Sequence, residues 1–155
     1  MQRAVKKITV SSKSRSLKLA VVVADFNEEI TKGLLKGALK AIHDSGLERK
    51  QVRVYHVAGS FEVAELAMRL AKTKRLEAIV CLGAIIKGET THDQHLASAV
   101  THGLMQIGLD TGVAIGLGVI TANNMVQARA RCGADKYNRG YAAVVAAILL
   151  ATQKI

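Results

Sequence analysis

Four short apolar runs rich in valine and isoleucine recur along the chain: LKLAVVVA at 17–24, QVRVYHV at 51–57, AIVCLGAII at 78–86 and VAIGLGVI at 113–120. They read as strands buried on both faces. The segments between them repeat their apolar residues with helical period. Ile30, Leu34, Ala38, Ala41 and Ile42 form one stripe. Val63, Leu66, Ala67 and Leu70 form a second, and Leu96, Val100, Gly103, Leu104 and Ile107 a third. Two more helical stretches, near 123–131 and 139–152, close the chain. Strands that alternate with helices imply an α/β fold, with a four-stranded parallel sheet, right-handed crossovers and helices on both faces. Ligands of such sheets bind beyond the carboxyl ends of the strands, so the residues just past each run are the ones to inspect.

A length of 155 residues suits one domain, large enough to bury roughly two thirds of its unfolded surface. Six cations, Arg3, Lys6, Lys7, Lys13, Arg15 and Lys18, precede the first acidic residue, Asp25. Much of the formal charge of +10 therefore sits in a basic arm, 1–16, ahead of a single domain at 17–155. Two Phe, three Tyr and no Trp leave few platforms for stacking bases, so no nucleic-acid partner is expected. No apolar run reaches the ~20 residues of a membrane span, and no signal-peptide block opens the chain, so no membrane partner is expected either. Cys81 and Cys132 match neither a disulfide framework nor a metal knuckle; they read as free thiols of a cytoplasmic protein.

After the first run comes Asp25-Phe26-Asn27, with Asn27 placed to N-cap a helix whose first turn carries Glu28 and Glu29. A lone Phe is ordinarily core, but Phe26 stands where a planar ligand could stack. After the second run comes Gly59-Ser60-Phe61-Glu62, in which Gly59 permits a tight exit and Ser60 can cap the next helix. Phe61 puts a second aromatic ring at the same edge of the sheet.

After the third run comes KGETTHDQ. Thr90 with Asp93, and Thr91 with Gln94, both fit a capping box, so a helix is expected to start there. Its free amides and dipole make the Gly88-Glu89-Thr90 turn an anion site suited to phosphate, with Lys87 near enough to assist. His92 falls in the first turn. The positive end of a helix disfavours a charged imidazole there, so the ring is expected to serve as a neutral base. His92 and His95 have no third partner at metal-ligand spacing, and no metal is expected. In the fourth run, Gly116 and Gly118 mark close approach of a backbone or ligand. Arg131 and Arg139 flank a helix break at Gly133 and Asn138, and either arginine could clamp a phosphate or lie on a solvated face.

Taken in order, FN at 26–27, GSFE at 59–62, LGAIIKGETTHD at 82–93, GVIT at 118–121 and the closing QARARCG and NRG closely resemble the lumazine synthase family. The resemblance runs from about Leu17 to the C-terminus and implies a flavodoxin-like, three-layer α/β/α sandwich. It also implies condensation of two small molecules, 5-amino-6-(D-ribitylamino)uracil and 3,4-dihydroxy-2-butanone 4-phosphate. The products are 6,7-dimethyl-8-ribityllumazine, phosphate and water, in riboflavin biosynthesis, and no cofactor is needed. Carried over by resemblance, Phe26 stacks on the pyrimidine beside Asn27, and Ser60, Phe61 and Glu62 hold ribityl and ring groups. Ala84, Ile85 and Ile86 supply backbone contacts. Glu89 and Thr90 receive the phosphate, and His92 transfers protons. Leu117, Arg131 and Arg139 match positions contributed by the neighbouring subunit, with Arg131 as phosphate clamp.

The family forms homopentamers with active sites between adjacent subunits. Some members build icosahedral shells of sixty subunits, and the short GADKYN connection resembles theirs. Riboflavin synthase is a partner of some members, and the N-terminal segment of this chain could pair with a neighbouring subunit. Two departures stand out. Ala58, Ala64 and Ala114 occupy positions where relatives commonly carry proline, and Leu117 stands where many carry an aromatic ring. Two other readings compete with the enzyme: a nucleic-acid module suggested by charge, and a catalytically impaired shell protein of the same fold.

Overall fold

The computed structural model describes residues 16–134 and 137–155. Most of the basic arm thus lies outside the described residues. Strand β1 (Leu19–Ala24) leads into helix α1 (Glu28–Asp44), followed by a 3-10 turn at Arg49–Gln51 and strand β2 (Val52–Val57). Helix α2 (Ser60–Lys72), strand β3 (Ala78–Ile86), helix α3 (His92–Thr111) and strand β4 (Ala114–Ala122) come next. Helices α4 (Met125–Cys132) and α5 (Arg139–Thr152) close the chain.

The four strands are parallel in the order β2-β1-β3-β4, with Val21 opposite both Val54 and Val80. Strand period divides β1 between two cores. Leu19, Val21 and Val23 join Ile30 and Leu34 of α1 and Val144 and Ile148 of α5 on one face. Ala20, Val22 and Ala24 join Val63 and Ala67 of α2 and Val100 and Leu104 of α3 on the other. The result is the expected three-layer α/β/α sandwich with flavodoxin-like strand order. The apolar stripe of α1 is buried throughout. No helix among the described residues is long and apolar enough to cross a membrane.

The expectation of burial on both faces holds for β1 and β3 and fails for β2. Arg53, Val54 and His56 are exposed, because β2 is an edge strand with a hydrogen-bonded neighbour on one side only. The close approach at the β4 glycines is made by the chain itself. A β-carbon on Gly116 would lie 2.4 Å from the Ala143 carbonyl oxygen of α5, and one on Gly118 would lie 2.5 Å from Leu82 Cδ2.

Asn138 joins the helices of the first face. It is buried, its Oδ1 accepts from the amides of Gly140 and Tyr141 at 2.9 and 3.1 Å, and its Nδ2 donates to the carbonyls of Gly33 and Gly133 at 3.0 and 2.8 Å. Gly37 leaves the space it occupies: a β-carbon there would fall 2.0 Å from Asn138 Oδ1. One side chain thus caps α5 and ties it to α1 and to the end of α4.

Candidate active site

The carboxyl ends of β1 and β3 open into a cleft of about 320 Å³. Phe26 and Asn27 line it from the β1–α1 turn, Ser60 from the head of α2, and Ala84, Ile85 and Ile86 from β3. Gly88, Thr90, His92, Asp93 and Leu96 close it from the turn and first helical residues of α3.

Each wall has a local cause. The β1–β2 ladder continues past the strand ends, with the Asp25 and Phe26 amides donating to the carbonyls of Val57 and Ala58 at 2.8 and 3.0 Å. Held there, the Phe26 ring is 70% exposed, so it is a cleft wall and not part of the core. Asn27 then turns the chain in left-handed conformation (φ 60°, ψ 49°), which Asn tolerates better than most side chains. It occupies the N-cap position of α1, but its side chain makes no cap. Its Nδ2 instead donates to the Ala84 carbonyl at 2.8 Å, joining the first turn to the end of β3.

The capping assigned to Ser60 belongs to its neighbours. Gly59 is the N-cap residue of α2, and Glu62 Oε2 accepts from its amide at 2.9 Å. Ser60 is buried against the bare backbone of Gly83, where a β-carbon would come within 2.5 Å of Ser60 Oγ. Glu62 therefore holds the turn, and its carboxylate does not line the cleft of its own chain. Phe61 is 65% exposed and does not line it either.

Helix α3 starts at His92, but neither capping box forms. Its N-cap residue Thr91 makes no side-chain cap. The nearest substitute is Thr90 Oγ1, which accepts from the His92 amide at 3.3 Å. The Gln94 and His95 amides reach back to the Thr91 carbonyl. The amides of Gly88, Glu89, Thr90 and Thr91 have no acceptor among the described residues. These free N–H groups, of the N-cap residue and the turn before it, sit beside the positive end of a 20-residue helix and together suit an anion. Glu89 is exposed and outside the cleft lining, so its carboxylate does not occupy that end.

The remaining three candidates lie elsewhere on the chain. Leu117 is 53% exposed on β4, where it lines a separate apolar groove of about 860 Å³ with Met105 and Leu109 of α3 and Leu150 of α5. Arg131, near the end of α4, donates from a guanidinium nitrogen to the Gln127 carbonyl at 2.7 Å. Arg139 is exposed at the head of α5. Among the described residues, no Lys or Arg lines the cleft.

Sequence reasoning missed two lining residues. Leu96, which belongs to the apolar stripe of α3, is half-buried and lines the cleft, and Asp93 lines it instead of completing a capping box. The place of Asp93 directly after His92, in the first helical turn, was the available signal.

The sequence model of the 6,7-dimethyl-8-ribityllumazine synthase family matches residues 16–154. A protein of that name from Syntrophus aciditrophicus is 41% identical, over 87% of this chain and 88% of its own length. Another from Salinibacter ruber is 42% identical, over 87% of this chain and 86% of its own. A third, from Coxiella burnetii, is 42% identical over 81% of this chain and 83% of its own. With the matching strand order and a cleft built from the motifs that carried the resemblance, the chain belongs to the 6,7-dimethyl-8-ribityllumazine synthase family.

Proposed function

We propose that this cleft, completed by a neighbouring subunit, condenses 5-amino-6-(D-ribitylamino)uracil with 3,4-dihydroxy-2-butanone 4-phosphate. The products are 6,7-dimethyl-8-ribityllumazine, phosphate and water, the reaction of the family in riboflavin biosynthesis. The observation that carries this reading is a juxtaposition: an exposed Phe26 ring, the unpartnered amides at the head of α3, and His92 all border one cleft.

Phe26 stacks on the pyrimidine, and Asn27 keeps that turn in register with Ala84, Ile85 and Ile86, whose backbone meets the ring edge. Ser60 faces the ribityl chain, with Phe61 and Glu62 at the rim. The amides around Glu89 and the Thr90 hydroxyl receive the phosphate. His92 moves protons as the amine adds to the ketone, water leaves, phosphate departs and the ring closes. Holding two reactants in line can lower such a barrier by ~7 to 11 kcal/mol at best, so positioning outweighs acid–base help of ~100-fold or more.

A dianion in a cleft that, among the described residues, is lined by no Lys or Arg is well served by a cation from a neighbouring subunit. Arg131 and Arg139 of an adjacent subunit fill that need in a homopentamer, and its Leu117 adds an apolar wall. The apolar groove around Leu117, with Met105 and Leu109 exposed beside it, supports burial of that face against another copy. The free thiols of Cys81 and Cys132 favour a cytoplasmic setting. The test is direct: purified protein incubated with both substrates should develop lumazine fluorescence and release phosphate. Absence of both from correctly assembled protein would overturn the assignment.

A further inference from the structure

A separate hollow of about 360 Å³ opens at the amino ends of β1 and β2, a strand length away from the cleft. Half-buried Tyr55, Leu70 and Leu76 give it an apolar part. Its charged residues are Lys18, Lys50, Arg53 and Arg75, all exposed, and among the described residues no Asp or Glu lines it. Lys50 is paired with Glu48 at 2.8 Å. Lys18, Arg53 and Arg75 have no carboxylate partner for their side chains among the described residues. Glu77 accepts from the Lys18 backbone amide at 2.7 Å and lines the apolar groove around Leu117 instead. Thr73 Oγ1 is spent on the Leu70 carbonyl at 2.7 Å, and Gln51 Nε2 on the Leu17 carbonyl at 2.8 Å. The Tyr55 hydroxyl has no partner among the described residues. What the hollow leaves unspent is therefore a set of donors: two guanidinium groups, an ammonium and a phenol.

We propose that this hollow is a second anion site that takes a small phosphate monoester, its phosphate held by Lys18, Arg53 and Arg75 and its organic part resting on Tyr55 and Leu70. Four like charges around one hollow repel each other, and an anion among them relieves that repulsion. A guanidinium group binds an oxyanion by two parallel hydrogen bonds. A phosphate monoester offers three terminal oxygens to three unpaired cations, whereas a carboxylate offers two. The volume lies within the range of small-molecule sites and leaves room beside the phosphate for an organic body on the tyrosine face. The basic arm of this chain does not suit the hollow, because 1–16 carries Arg3, Lys6, Lys7, Lys13 and Arg15 and no acid. The site lies apart from the cleft and does not depend on the reaction assigned there.

The experiment titrates the assembled protein at low salt by calorimetry, with phenyl phosphate and inorganic phosphate as probes, and compares wild type with the double variant Arg53→Ala/Arg75→Ala. Both arginines are exposed and outside the cleft, so the double variant should keep the wild-type unfolding temperature and the wild-type kcat/KM for lumazine formation. At this site it should bind phenyl phosphate about 10- to 100-fold more weakly, the range for hydrogen bonds to a charged group. In wild type, inorganic phosphate should bind there about 2- to 10-fold more weakly than phenyl phosphate, the worth of one aromatic contact. Tyr55→Leu should erase that difference. Three results would overturn the proposal. One is superimposable phenyl phosphate isotherms for wild type and the double variant. Another is inorganic phosphate binding as tightly as its ester. The third is displacement of phenyl phosphate by a single-stranded oligonucleotide of random sequence, with steep loss on adding salt, which would make the hollow part of a nucleic-acid face.

Discussion

The side-chain amide of Asn27, at the head of α1, donates to the Ala84 carbonyl of β3 at 2.8 Å. That bond ties the Phe26 wall of the cleft to the end of β3. Asn27 makes it from a left-handed backbone conformation. Asn27→Ala should lose both the bond, about 1 kcal/mol, and the tolerance for that conformation, about 1–2 kcal/mol. Asn27→Gly should lose only the bond. Denaturant unfolding is therefore expected to rank the glycine variant above the alanine variant, with both below wild type and both impaired in kcat/KM.

Replacing His92 tests how catalysis is divided. If alignment of the two substrates dominates, His92→Ala slows turnover by about 100-fold or somewhat more and leaves a rate well above the uncatalysed one. A fall to the uncatalysed rate with substrate binding intact would reverse the ranking.

Leu117 offers an aliphatic surface where an aromatic ring would stack. Leu117→Phe should lower the KM for the aminopyrimidine by about 2- to 10-fold, the worth of one aromatic pair. The residue is exposed on its own chain, so the change should act across a subunit boundary and barely alter folding of the single chain. An unchanged KM would remove Leu117 from the pocket.

Asn138 makes four hydrogen bonds while buried. Asn138→Ala should cost about 2–4 kcal/mol, because it removes a helix cap and strands two carbonyls at once. Asn138→Asp keeps the cap oxygen but not the donors, so it should recover part of that loss. Equal stability of the two variants would show that the cap carries nothing. Chemical denaturation with the assembly state held constant is the measurement.

Burial pushes the Cys81 thiol up to about 12 from an ordinary 9.0. Above pH 9 the unfolded chain gives up this proton while the folded chain keeps it, so the unfolded state binds fewer protons and stability falls as pH rises toward 12. The slope from this one group approaches ~1.4 kcal/mol per pH unit. Cys81→Ala should lack that component. Parallel alkaline stability curves for the variant and wild type would refute it.

The departures from local expectation fall at particular residues. Asn27, Ser60 and Thr91 all have capping chemistry, and none of them caps its helix: Glu62 holds the Gly59 amide, while Asn27 reaches Ala84, 57 residues away. Local rules assign a side chain its nearest partner. A sheet that brings distant turns together offers better ones, and propensity holds no information about that competition. The β2 strand differs: Arg53 and His56 already set it apart from the apolar β3 run, in keeping with its place at the edge of the sheet.

Alternation of apolar runs with helical stripes sufficed for the parallel sandwich, because strands apolar on both faces need a helical layer on each side. The motifs at the strand ends sufficed for the family and for most of the cleft. Chain folding settled which of those residues share one pocket: eight candidates line it, while Leu117 lines a separate groove and Arg131 and Arg139 lie outside the lining. It also left Asp93 Oδ1 buried without a donor. Distances across a sheet and the desolvation of a single atom depend on every packed layer together, and no stretch of residues read in order encodes them.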